Sequence, residues 1–150
     1  MVRYTERHTY RVKKTFNAPL KFVYDWCTDY REDDNLMTGW KAQFKILQKN
    51  KRRVIYLRTS ERDGKTMISV KMVTLRPPKA WYLDQVGEDE DVIGVYKVTR
   101  VGPEKTRLAM TFTEKYKISD TRTKEEDRND TNQMWDKYVA ALEEDYARVH

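Results

Sequence analysis

The sequence predicts an α+β domain: a curved antiparallel sheet of six to seven strands around a long C-terminal helix, with two short helices after the first strand. Three observations lead there. Between Thr123 and His150, the residues Trp135, Tyr138, Val139, Leu142, Tyr146 and Val149 recur at helical spacing and form one apolar stripe. From Lys41 onwards the period is two almost throughout, broken only by short turn-like segments. The 150 residues are 39% apolar with only five Gly and four Pro, so residues 1–150 read as a single domain that buries about two-thirds of its unfolded surface.

Each element has a local reason. Tyr4 to Phe16 alternates, with Tyr4, His8, Tyr10, Val12 and Phe16 on one side, which is a strand with one buried face. Asn17-Ala18-Pro19 punctuates it, and Asn17 is positioned to cap a helix with Pro19 in its first turn. Leu20, Val23, Tyr24, Trp26 and Cys27 give that helix an apolar side up to about Thr28. Tyr30 to Trp40 is acidic and reads as a second short helix or ordered loop. Strands are then expected at Ala42 to Gln48, Arg53 to Ser60, Thr66 to Arg76, Trp81 to Val86, Val92 to Val101 and Arg107 to Ile118. The short breaks between them, such as Arg62-Asp63-Gly64 and Gly102-Pro103, demand antiparallel hairpins rather than crossover helices. Thr123 and Glu126 form a capping-box pattern at the start of the last helix. Its apolar stripe turns polar towards that start, at Thr131, Arg128, Asp127 and Lys124.

Composition narrows the function classes. One Cys cannot make an internal disulfide and points to a reducing, cytoplasmic setting. With two His and one Cys a Cys/His zinc site is excluded, and neither a GxSxG elbow nor a phosphate-binding glycine loop occurs. No metal and no cofactor is therefore expected. No apolar run reaches the length of a membrane span, about 20 residues. The net charge of +6 permits anionic partners without requiring them.

The segment from Thr15 to Tyr30, in which the first strand runs through Ala18-Pro19 into a helix carrying Trp26, resembles the START-related superfamily. Its members include pollen-allergen-like proteins, lipid-transfer domains and polyketide cyclase- or dehydratase-like proteins. The order of elements agrees with that helix-grip fold over the whole chain. The resemblance implies a cavity between sheet and terminal helix that holds a hydrophobic or amphipathic small molecule. It implies no universal catalytic motif, because one scaffold hosts carriers, sensors and enzymes.

The residues expected to line such a cavity are Trp26, Tyr56, Met72, Trp81, Tyr96, Glu114, Arg128, Thr131, Trp135 and Tyr138. Glu114 interrupts the apolar row Leu108, Met110, Phe112 and Tyr116, so it needs a partner or a raised pKa. Pairing of the first strand with the last brings His8 towards Glu114, and the two are the candidate catalytic residues. The plainer alternative makes them a structural pair, with Arg128 neutralising Glu114. Cys27, on an apolar face, reads as a buried small hydrophobe, and Gly94 as a bend or a space for a neighbour.

The preferred function is binding or transport of an apolar or amphipathic molecule. The first alternative is a cyclase- or dehydratase-like enzyme in which His8 and Glu114 transfer protons. The second is a surface adaptor that uses the basic hairpin 48–53 for transient membrane-surface contact. That hairpin carries no aromatic stacking platform, so specific nucleic-acid binding is not expected.

Overall fold

The computed structural model describes residues 3–33, 42–62, 64–117 and 122–150. Seven strands form one antiparallel sheet: β1 (Glu6–Phe16), β2 (Ala42–Lys49), β3 (Arg53–Arg62), β4 (Lys65–Arg76), β5 (Ala80–Gly87), β6 (Glu90–Gly102) and β7 (Lys105–Tyr116). Two helices accompany them, α1 (Leu20–Thr28) and α2 (Lys124–Val149). The sheet order is β1-β7-β6-β5-β4-β3-β2, a meander of hairpins whose last strand pairs with the first. Among the described residues no helix is long and apolar enough to cross a membrane.

Alternation decides which face of the sheet is buried, and the register stacks the inward side chains in rows across it. At the end covered by α1, the row is Leu75, Trp81, Tyr96, Met110 and Val12. The next row is Val54, Val73, Leu83, Gly94, Phe112 and Tyr10. The third runs Tyr56, Lys71, Gln85, Val92, Glu114 and His8. Polarity therefore rises row by row away from α1. The first two rows are almost wholly buried and hold much of the hydrophobic stabilisation, about 25 cal/mol per Å2 of apolar surface removed from water.

The helix over the sheet follows the same gradient. Leu142 is fully buried and Trp135 nearly so, packed 6.2 Å from Tyr96 between ring centroids. Nearer its start, Thr131 meets Tyr10 and Asp127 is buried among polar side chains. The stripe's change from apolar to polar is thus the complement of the rows beneath it. Thr123 caps the helix by accepting from the Glu126 backbone N–H at 3.1 Å, and Glu126 accepts from the Thr123 hydroxyl. The stripe ends at Tyr146, because Val149 is exposed.

Three expectations need correction or placement. Asn17 does not cap α1; Pro19 holds the cap position in extended backbone (φ −63°, ψ 153°). The Asn17 N–H instead donates to Glu143, and the buried Ala18 carbonyl accepts from Thr106, so tertiary contacts set where the helix begins. The expected second helix falls largely outside the described residues, as does Ile118 at the end of the last expected strand. Gly64 turns the β3–β4 hairpin at φ +76°, a conformation that favours glycine.

Candidate functional site

Between the rows of the sheet and α2 lies a cavity of about 240 Å3. One side of the cavity is aromatic. Trp26 meets Tyr138, Tyr138 meets Trp135, and Trp135 leans on Tyr96 at centroid distances of 6.4, 4.9 and 6.2 Å. Tyr56 sits between Tyr30 and Phe44 at 5.6 and 5.5 Å. Edge-to-face contacts of this kind hold the rings as a fixed wall.

Gly94 lies in the second row, where a Cβ would come within 3.0 Å of Tyr96, 3.2 Å of Leu83 and 3.3 Å of Phe112. Its lack of a side chain makes room for these neighbours, two of which line the cavity with Phe112 on β7. Cys27 also lines the cavity, and burial pushes its thiol pKa up, so it is an unreactive wall group.

The other side is polar and comes from the third row and beyond. Lys71, Gln85, Glu90, Glu114, Tyr10 and Thr131 all line it. Glu114 accepts from the Tyr10 hydroxyl at 2.5 Å, and the Tyr10 oxygen lies 2.8 Å from Thr131 Oγ1. Behind Glu114, the Tyr116 hydroxyl is 2.9 Å from Glu114 Oε2 and 2.6 Å from Asp127 Oδ2. Burial raises the pKa of Glu114, and the facing Asp127 carboxylate adds to it. Asp127 goes the other way: burial alone would raise it, but bonds from Arg122, Tyr116 and His8 together hold it low. Of the two facing carboxyls, Glu114 is thereby the weaker acid and Asp127 the stronger.

His8 stands opposite Glu114 in the register but does not reach the cavity. Its Nδ1 lies 2.7 Å from Asp127 Oδ2 and its Nε2 2.8 Å from Glu6 Oε1. Burial acts to lower the His8 pKa, but these two carboxylate bonds outweigh it and the net shift is upward. Direct proton exchange between His8 and a molecule in the cavity is therefore ruled out by geometry, because both ring nitrogens are already committed. His8 connects to Glu114 only through Asp127 and Tyr116.

The remaining expectations divide cleanly. Trp26, Tyr56, Tyr96, Glu114, Thr131, Trp135 and Tyr138 lie on the cavity wall. Met72 does not, because the inward residues of β4 are Lys71, Val73 and Leu75, which turns Met72 to the outer face. The run Ile68, Val70 and Met72 misleads, since its apolar side faces out, with Ile68 45% and Val70 41% exposed. Trp81 points inward but one row too deep, stacked on Tyr96 at 4.8 Å and covered by Tyr24 at 5.6 Å. Arg128 is rotated away from the sheet's interior and donates to the Arg11 carbonyl and to Glu125, so Asp127 takes the inward place instead. In the basic hairpin, Lys49 is tied to Asp29 and the Tyr30 carbonyl, while the Asn50 side chain accepts from the Arg52 and Arg53 N–H groups.

Sequence reasoning missed Lys71, Gln85 and Glu90. Lys71 carried the same signal as Glu114, a charge in the row of Val73 and Leu75, but the apolar residues on the opposite face obscured it. Glu90 falls in the acidic run Glu88-Asp89-Glu90-Asp91, which has the composition of a solvated turn. In the structure it opens β6 and faces inward, while its neighbour Asp91 bonds outward to Tyr4 and Lys117.

No protein-family model and no curated protein sequence matches the chain. Solved structures do match. The ZhuI aromatase/cyclase from Streptomyces sp. R1128 is similar with a TM-score of 0.72 and 15% identity, over 97% of each chain. The Ara h 8.0201 structure gives 0.69 and 15%, over 97% of this chain and 100% of that one. A START superfamily protein from Mycobacterium smegmatis gives 0.69 and 13%, over 95% and 99%. The seven-stranded sheet closed on α2 is accordingly the START-related helix-grip fold.

Proposed function

We propose that this protein binds an amphipathic small molecule between its sheet and α2, with the apolar body against the aromatic wall and the polar end against Lys71, Gln85, Glu90 and Glu114. One observation carries this reading. The side-chain polar groups of Lys71, Gln85 and Glu90 border the cavity and make no hydrogen bond among the described residues. No described side-chain nitrogen or oxygen that is closed off from space lacks a partner, so the unbonded polar atoms of these three residues open onto the cavity itself. Polar groups left open only where there is space are arranged for a ligand's own donors and acceptors.

The electrostatics define the kind of polar end. Burial lowers the Lys71 pKa to about 7, helped by nearby Arg58. Burial raises the Glu90 pKa to about 8, with Glu114 adding to it. Near neutral pH Lys71 is divided between amine and ammonium and Glu90 is mostly protonated, a set of donors and acceptors that suits hydroxyl and carbonyl groups. Native mass spectrometry of the purified protein, followed by organic extraction, tests the reading. A stoichiometric amphipathic compound is expected. An empty protein whose tryptophan fluorescence also fails to respond to a naphthyl alcohol would refute it.

A second reading has its own support: Glu114 lines the cavity with its pKa raised by burial, and an aromatase/cyclase is among the structural neighbours. In it Glu114 transfers a proton to an enolisable substrate, as in a cyclase or dehydratase, while His8 acts only through Asp127. Glu114→Gln then abolishes turnover and leaves ligand affinity within a few-fold.

A further inference from the structure

We propose that Lys71 is a carbonyl-capturing amine, which condenses reversibly with an aldehyde or ketone group of the bound molecule to form an imine. The inference rests on the cavity reading above and extends it to a covalent step. Lys71 is the one lysine among the described lining residues. It projects from the middle of β4, in the row with Gln85 and Glu114, and its Nζ lies 5.9 Å from the centroid of the Tyr56 ring. An ammonium in that position would be expected to hold a carboxylate. Lys71 has no ion pair or hydrogen bond among the described residues, although Glu90 and Glu114 are close enough to act on its charge.

Two conditions for imine formation meet here. The amine must carry a free lone pair, and an acid must release the carbonyl oxygen as water. Burial and Arg58 favour the neutral amine at Lys71. Burial raises the Glu90 pKa to about 8, and burial with the facing carboxylates shifts Glu114 in the same direction. The Nζ lone pair attacks the carbonyl carbon, and a proton passes from nitrogen to oxygen to give the carbinolamine. A carboxyl then donates its proton to the hydroxyl, the C–O bond breaks, and water leaves as the nitrogen lone pair forms the C=N bond. Amine, carbonyl and carboxylic acid become a protonated imine, a carboxylate and water. Two neutral groups are replaced by an ion pair in the same row, so the buried carboxylate gains the cation that it lacked.

The ordinary lysine value is about 10.4. At pH 7 a group with a value of about 7 then has roughly a thousand-fold more free amine than a surface lysine. Selective labelling follows. The test uses 6-methoxy-2-naphthaldehyde at one equivalent and pH 7, with sodium cyanoborohydride to reduce the imine. Intact mass and peptide mapping locate the product, and the matched naphthyl alcohol reports non-covalent binding by tryptophan fluorescence. The α-amino group, ordinarily near 8, labels equally in every variant and is the internal reference.

Beside the α-amino label, one lysine adduct is expected, on Lys71, exceeding that on any other lysine by about tenfold or more. It should vanish in Lys71→Met and Lys71→Arg, while the α-amino label stays the same in both. Alcohol binding without a Lys71 adduct, or label spread evenly over the lysines, overturns the proposal and leaves the cavity reading standing. If neither alcohol nor aldehyde binds, both fall.

Discussion

Single side chains set the chemistry of the cavity, and two of them give direct tests. Glu90 has a pKa raised from 4.5 to about 8, so the folded state holds its proton more tightly than the unfolded chain does. Its penalty is absent below pH 4.5, grows between there and about 8, and is complete above. Glu90→Gln should therefore stabilise the protein at pH 9 by about 1 to 3 kcal/mol once solvent in the cavity is allowed for, seen as a higher urea midpoint, and leave the midpoint unchanged at pH 4. Gly94 gives the second test. Gly94→Ala pushes a methyl against Tyr96, Leu83 and Phe112 at 3.0 to 3.3 Å, and overpacking of this kind costs about 1 to 3 kcal/mol. The variant should melt earlier and bind a naphthyl alcohol more weakly, because the displaced rings move into the cavity. Lys71 shows the limit of reading at this scale: its sign against an apolar row was visible in the sequence, but a row must be assigned to a face before that sign means anything.

At the scale of elements, the informative feature is the division of α2 into an apolar and a polar half. The sequence displayed the division as a stripe that turns polar at Thr131. What it did not display was the complementary gradient in the sheet, since rows are built from residues scattered over seven strands. The polar half is anchored by Asp127, 4% exposed, which receives His8, Tyr116 and Arg122. Helical position placed Asp127 and Arg128 side by side as candidates, and only packing chose between them. His8, with its raised pKa, contributes fully below about 6.5 and loses that contribution as pH rises through its folded value. Asp127, with its lowered pKa, contributes above about 3.9 and loses that contribution as pH falls through its folded value. The anchor is strongest between those limits. Asp127→Asn should cost about 2 to 4 kcal/mol there and distinctly less at pH 9, as read from urea unfolding across pH.

At the scale of the whole molecule, the fold was legible although identity with its structural relatives is only 13 to 15%. Alternation, turn residues and one amphipathic helix specify a meander over a helix without fixing which side chains fill it. The same freedom leaves the contents of the cavity to each protein. The pairing of β1 with β7 has a temporal consequence. Hairpins from β2 to β7 close short loops, but Tyr10 must find Glu114 across 104 residues. Loop entropy is lost before such a distant contact returns anything, so the pairing should come late. In a refolding time course followed by pulsed hydrogen exchange, amides of β4 to β6 should gain protection first, and those of β1 together with the start of α2 last. A newly made chain would then hold a nearly complete sheet while its cavity still lacked one wall, leaving an interval in which a bulky guest can enter by the side that β1 will later seal.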